Sequence, residues 1–139
     1  MKLLGTGLAA ARFLRLEDEV EAQRFDVTER IVGGVRVVEI QGELDISTSP
    51  RVRVLLDEAA ADHDRPLVID LNRCDFVDST GLATLLHGAK PAQNGESNVG
   101  LVSSGGEIRR LLELTAIDRT IPVFATLEDA LRGILEADN

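Results

Sequence analysis

The chain has 139 residues, a formal net charge of −9 and 44% hydrophobic residues. That length suits one domain with a real core, and that composition argues against disorder through most of it. With 3% aromatics, no Trp, no Tyr and a pI near 4.7, it is a poor partner for nucleic acid or an anionic membrane, and a basic protein surface fits better.

Residues 1–24 read as an N-terminal extension, with a short helix expected around Leu8 to Glu21. Lys2 followed by Leu3 to Ala11 is the start of an export signal in outline. Arg12 ends the apolar stretch early, so an extension or an upstream start codon is the expected reading and export the alternative. No stretch approaches the roughly 20 apolar residues of a spanning helix. Residues 25–139 read as the domain.

From Phe25 to Val32 a strand is expected, paired through the Gly33-Gly34 turn with "VVEIQGEL". Ser47, Thr48 or Ser49 can cap a helix over Ser47 to Ala61, with Pro50 in its first turn and Val52, Leu55, Leu56 and Ala59 on its apolar stripe. "PLVIDL", Pro66 to Leu71, is a continuous apolar run, as in a strand covered on both faces. Leu82, Leu85, Leu86 and Ala89 predict the next helix, "NVGLVS" a strand, and Ile108, Leu111, Leu112 and Thr115 another helix. "TIPVF" is a short strand, and Leu127, Ala130, Leu131 and Ile134 mark the last helix. The order β-β-α-β-α-β-α-β-α implies an α/β fold with a mainly parallel sheet, an N-terminal hairpin strand and about four helices. The single cysteine, Cys74, excludes an internal disulfide and a cysteine-rich zinc site and suits a reducing compartment.

The chemistry concentrates in "VDSTGL", Val77 to Leu82. A nucleophilic Ser79 or Thr80 would need a base within reach, and the imidazoles are only His63, in a polar turn, and His87, off its helix's apolar stripe and expected in solvent. No Gly-x-Ser-x-Gly elbow is present. The carboxylates are spread over helix faces, which offers no metal site. "SSGGE", Ser103 to Glu107, could cradle a phosphate, but it lacks the P-loop lysine and the dinucleotide fingerprint. Asp78, Ser79 and Thr80 can all cap a first helical turn. They also stand at the carboxyl end of the sheet, where open α/β sheets present their sites.

"GELDISTSP", Gly42 to Pro50, followed about 35 residues later by "FVDSTGLATLLHGAK", Phe76 to Lys90, resembles the STAS domain of bacterial anti-sigma factor antagonists. The resemblance extends to "PLVIDLNRC" and "IRRLLELTAIDRTIPVF". It implies the STAS fold and a regulator rather than an enzyme, with no cofactor and no metal. It implies that Ser79 is phosphorylated, and that the partner is an anti-sigma factor serine kinase that the unphosphorylated chain binds, so releasing the sigma factor. Asp45, Ser47, Thr48, Asp78, Ser79, Thr80 and Gly81 would form the contact surface, Gly81 leaving room for a partner's backbone. A phosphoserine phosphatase could reset the switch, the place would be the cytoplasm, and the chain a monomer or weak homodimer. Two rivals stay open: a structural STAS subunit of a signalling or transport complex, and a nucleotide-binding module.

Overall fold

The structure, a computed structural model, describes residues 24–62 and 64–138. The helix expected near Leu8 to Glu21, the export alternative and His63 lie outside the described residues.

Gly33 and Gly34 take φ of +59° and +86°, the paired positive values of a two-residue type I′ turn. They join β1 (Asp26–Val32) to β2 (Val35–Leu44) in antiparallel register. β3 (Leu67–Val77), β4 (Val99–Val102) and β5 (Val123–Phe124) follow in parallel, giving one sheet in the order β1-β2-β3-β4-β5. The connections are α1 (Ser49–Ala61), α2 (Ser79–Gln93) and α3 (Gly106–Leu114), with a 3-10 turn at Ile117–Arg119 before β5 and α4 (Leu127–Asp138) after it.

The alternation of each strand sends side chains to both faces. Val38, Ile40 and Ile69 meet Val52 and Leu56 of α1, Leu85 and Ala89 of α2 and Leu112 of α3. Val35, Val37, Val68 and Val102 face the other way, against Ala130 and Ile134 of α4. Each fully buried Val, Leu or Ile contributes about 1.5–3 kcal/mol. Cys74 is buried in the larger core, and burial pushes its thiol above the ordinary value, which keeps it protonated and unreactive.

Several boundaries differ from the expected ones. α1 begins at Ser49, because Ser47 and Thr48 belong to a turn that closes on Asp45. The buried face of α2 is Gly81, Thr84, Leu85, Gly88 and Ala89, so Leu86 is 39% exposed, not on the stripe. α1 fixes that rotation: a Cβ on Gly88 would stand 2.8 Å from Leu56. Thr115 is an exposed C-cap whose hydroxyl returns to the Leu111 carbonyl. His87 is not free in solvent. Its Nε2 lies 2.6 Å from Asp57 and its Nδ1 3.2 Å from Arg53, which ties α2 to α1.

β3 runs on to Val77, well past the apolar run that marks it in sequence. β4 stops pairing at Asp70, but β2 continues alongside to Leu44. Two register shifts accommodate the twist of this projection, and Gly42, at φ +92°, stands beside one of them. β3 therefore runs on the order of 20 Å past its last pairing with β4 at strand rise, with β2 beside it to Leu44 and β1 beside β2 as far as Gln41.

Candidate functional site

The two motifs that stand about 35 residues apart in sequence meet at the tip of this projection. Leu44 is their meeting point. Its carbonyl accepts the Asp78 amide at 3.1 Å, and its side chain is buried. Gly81 lies flat against it: a Cβ there would come within 2.4 Å of the Leu44 oxygen. The room that Gly81 leaves is thus taken by the chain's own β2, and Gly81 is buried, not offered outward.

Asp78 is the N-cap of α2. One carboxylate oxygen accepts the Gly81 amide at 2.8 Å, and the other accepts the Ile46 amide at 3.2 Å. The same side chain therefore starts one helix and ties down the loop that leads into another. Sequence reasoning allowed Asp78, Ser79 and Thr80 as caps; only Asp78 caps.

Asp45 organises the neighbouring loop. Its Oδ1 accepts from the Ser47 hydroxyl (2.9 Å), the Ser47 amide (3.0 Å) and the Thr48 amide (3.1 Å). The Ser47 hydroxyl, helped by those amides against a smaller cost of desolvation, holds the Asp45 carboxyl below its usual range. Thr48 sits at the N-cap position of α1 but turns its hydroxyl back to the Glu43 carbonyl at 2.8 Å and accepts the Asp45 amide at 2.9 Å.

Ser79 is left as the free group. It is the first residue of α2, exposed, and its hydroxyl makes no hydrogen bond with the described residues. The amides of Ser79 and Thr80 are the unpaired donors at that helix start. The site thus offers a nucleophilic oxygen beside a helix N-terminus that tolerates added negative charge.

Apolar side chains flank it, and the sequence reading did not single them out. Ile46 is 72% exposed and Phe76 is 49% exposed. An isoleucine inside an otherwise polar Asp-Ile-Ser-Thr-Ser loop is the signal that could have found the first. Phe76 falls outside the apolar run of β3, where period reasoning stops. A groove of about 310 Å³ between α1 and α2 continues from Ile46 past Pro50, Val54 and Thr80. No cluster of three metal-binding side chains occurs among the described residues, and no described helix is long and apolar enough to cross a membrane. The Ser103–Glu107 loop is a plain helix entry: Gly105 and Gly106 take positive φ, and the Ser104 amide is occupied by Asn72 at 2.7 Å.

The family model of the STAS domain matches residues 26–130. The chain belongs to the STAS family. Among its relatives, the anti-sigma-F factor antagonist RsfB of Mycobacterium tuberculosis is 38% identical over 102 residues, which is 73% of this chain and 82% of that protein. The crystal structure of an anti-sigma factor antagonist from Mycobacterium paratuberculosis superposes with a TM-score of 0.74 at 33% identity, covering 81% of this chain and 95% of that one. The STAS fold alone does not define a role. The murine anion transporter Slc26a9 contains it too, with a TM-score of 0.69 at 15% identity over 92% of this chain and 25% of the transporter.

Proposed function

We propose that this STAS protein is an anti-sigma factor antagonist switched by phosphorylation of Ser79. The observation that carries the reading is the exposed, unbonded Ser79 hydroxyl on the first turn of α2, held out on a projection that two mutually hydrogen-bonded motifs build. The similarity to proteins named as anti-sigma factor antagonists supports the same role.

The partner is an anti-sigma factor with serine kinase activity. In the transfer, the Ser79 oxygen attacks the γ-phosphorus of ATP and an O–P bond forms. The bond from that phosphorus to the bridging oxygen breaks, ADP leaves, and the hydroxyl proton passes to a base on the kinase. The antagonist supplies the oxygen and its position, and needs no cofactor of its own. A phosphoserine phosphatase reverses the step, and both forms work in the cytoplasm.

The switch follows from electrostatics. Phosphorylation adds roughly −1.5 to −2 charge. The free amides and dipole of α2 accept that charge, so the fold stands. In the unmodified state, Asp45, Ser47, Thr48 and Thr80 form the polar part of the contact and Ile46 and Phe76 the apolar part. Asp78 and Gly81 hold those groups in place from behind. A phosphate carried into that contact without a cationic partner costs several kcal/mol, and about 4 kcal/mol is roughly a thousandfold in affinity.

Incubation with the cognate kinase and ATP, followed by mass spectrometry of the peptides, tests the assignment. Phosphate on Ser79 is expected. Phosphate on Thr80 alone, or none, would overturn it.

A further inference from the structure

β1 is the edge of the sheet, and among the described residues no strand pairs with its outer side. The hairpin decides which of its groups face outward. A two-residue turn makes Val32 and Val35 a hydrogen-bonded pair, and alternation carries this to Arg30 with Val37, Thr28 with Glu39 and Asp26 with Gln41. The N–H and C=O groups of Val27, Glu29 and Ile31 therefore point away from β2 and have no partner among the described residues.

The side chains divide in the same alternation. Asp26, Thr28 and Arg30 share one face of the sheet and all are exposed. Val27, Glu29 and Ile31 share the other, where Ile31 is 47% exposed. Glu29 is already neutralised by Arg36 on β2. Among the described residues Asp26 has only Arg51, at 4.0 Å, with both side chains more than half exposed.

We propose that β1 pairs antiparallel with β1 of a second copy of this chain, on a two-fold axis at Thr28, joining both sheets into one. Charge complementarity selects that register. With Thr28 opposite Thr28, Asp26 of each copy faces Arg30 of the other, in the close, non-hydrogen-bonded pairs where side chains interact best. The outward amides of Val27 and Glu29 then meet each other across the axis. On the opposite face, Ile31 comes over Phe25 of the second copy, and its apolar surface is covered. Neither neighbouring register sets Asp26 opposite Arg30: an axis at Glu29 places it against Val32, and an axis at Val27 against Thr28. β2 separates this edge from β3, which leads into Ser79 at the start of α2, so assembly and phosphorylation use different parts of the molecule.

Sedimentation velocity of the full chain over a concentration series tests the pairing. A concentration-dependent dimer is expected. Arg30→Asp should weaken it about tenfold or more, and so should Asp26→Arg. The double variant D26R/R30D, which restores opposite charges across the axis, should return the affinity to near the starting value. A chain that stays monomeric at every concentration overturns the proposal. So does a dimer indifferent to R30D, or one that the double swap leaves dissociated while its melting temperature is that of the original. If a single variant loses stability, the double swap decides alone, since both charges lie on the exposed edge.

Discussion

At the residue scale, the proposed phosphoacceptor oxygen and the groups that hold it are separable. Ser79 makes no internal hydrogen bond, whereas Asp78 makes hydrogen bonds with both carboxylate oxygens. Ser79→Asp should therefore keep the native melting temperature or raise it slightly, because a carboxylate on the first helical turn meets the positive end of the dipole. Its binding to the anti-sigma factor should be lost. Asp78→Ala should do the reverse in stability, costing about 0.5–2 kcal/mol from the lost cap, read by urea denaturation. Asp45 adds a pH dependence. Its carboxyl sits below the usual range in the native state, so its contribution is complete above the unfolded value near 3.9 and is lost as pH falls through the native one. Asp62, held down by the Arg36 side chain, acts in the same direction. Asp45→Asn should thus narrow the gap between melting temperatures measured at about pH 7 and about pH 3. An unchanged gap would show that the Asp45 turn carries no such linkage.

At the element scale, the two motifs are one packing unit, and glycine makes the contact possible. Ala in place of Gly81 must displace the Leu44 carbonyl, which is backbone and cannot swing away. Gly81→Ala should cost about 1–3 kcal/mol as overpacking and should weaken partner binding too, because the start of α2 must move. Gly88→Ala meets the end of the Leu56 side chain at 2.8 Å instead. A rotamer can yield there, so the smaller loss is expected at Gly88. Equal losses in thermal melts of the two variants would contradict this account.

The element scale also shows what was legible. The order of strands and helices could be read from the change between period two and period 3.6, and the buried strand from its unbroken apolar run. The length of β3 could not. Beyond Leu71 its stability comes from pairing with β2, while "NRCDF" alternates too weakly to declare a strand. The rotation of α2 was hidden because its buried face uses Gly81, Thr84 and Gly88, which a count of large apolar residues passes over. The two motifs and their spacing were plain in the sequence. The hydrogen bonds joining Leu44 and Ile46 to Asp78 were not, since they depend on how far β2 and β3 run together.

At the scale of the whole molecule, the chain has a net charge of −9 and holds the proposed phosphoacceptor, Ser79, exposed at the edge of a packed joint. The core lies on both faces of the sheet behind the site. On the proposed function, a charge added to Ser79 should therefore act on the docking partner and leave the fold standing. Calorimetric titration of the cognate anti-sigma factor with unmodified protein and with protein phosphorylated at Ser79 measures this directly. The account predicts tight binding by the first and a loss of roughly a thousandfold for the second, with the two melting curves nearly superimposed. Equal affinity of the two forms would contradict it.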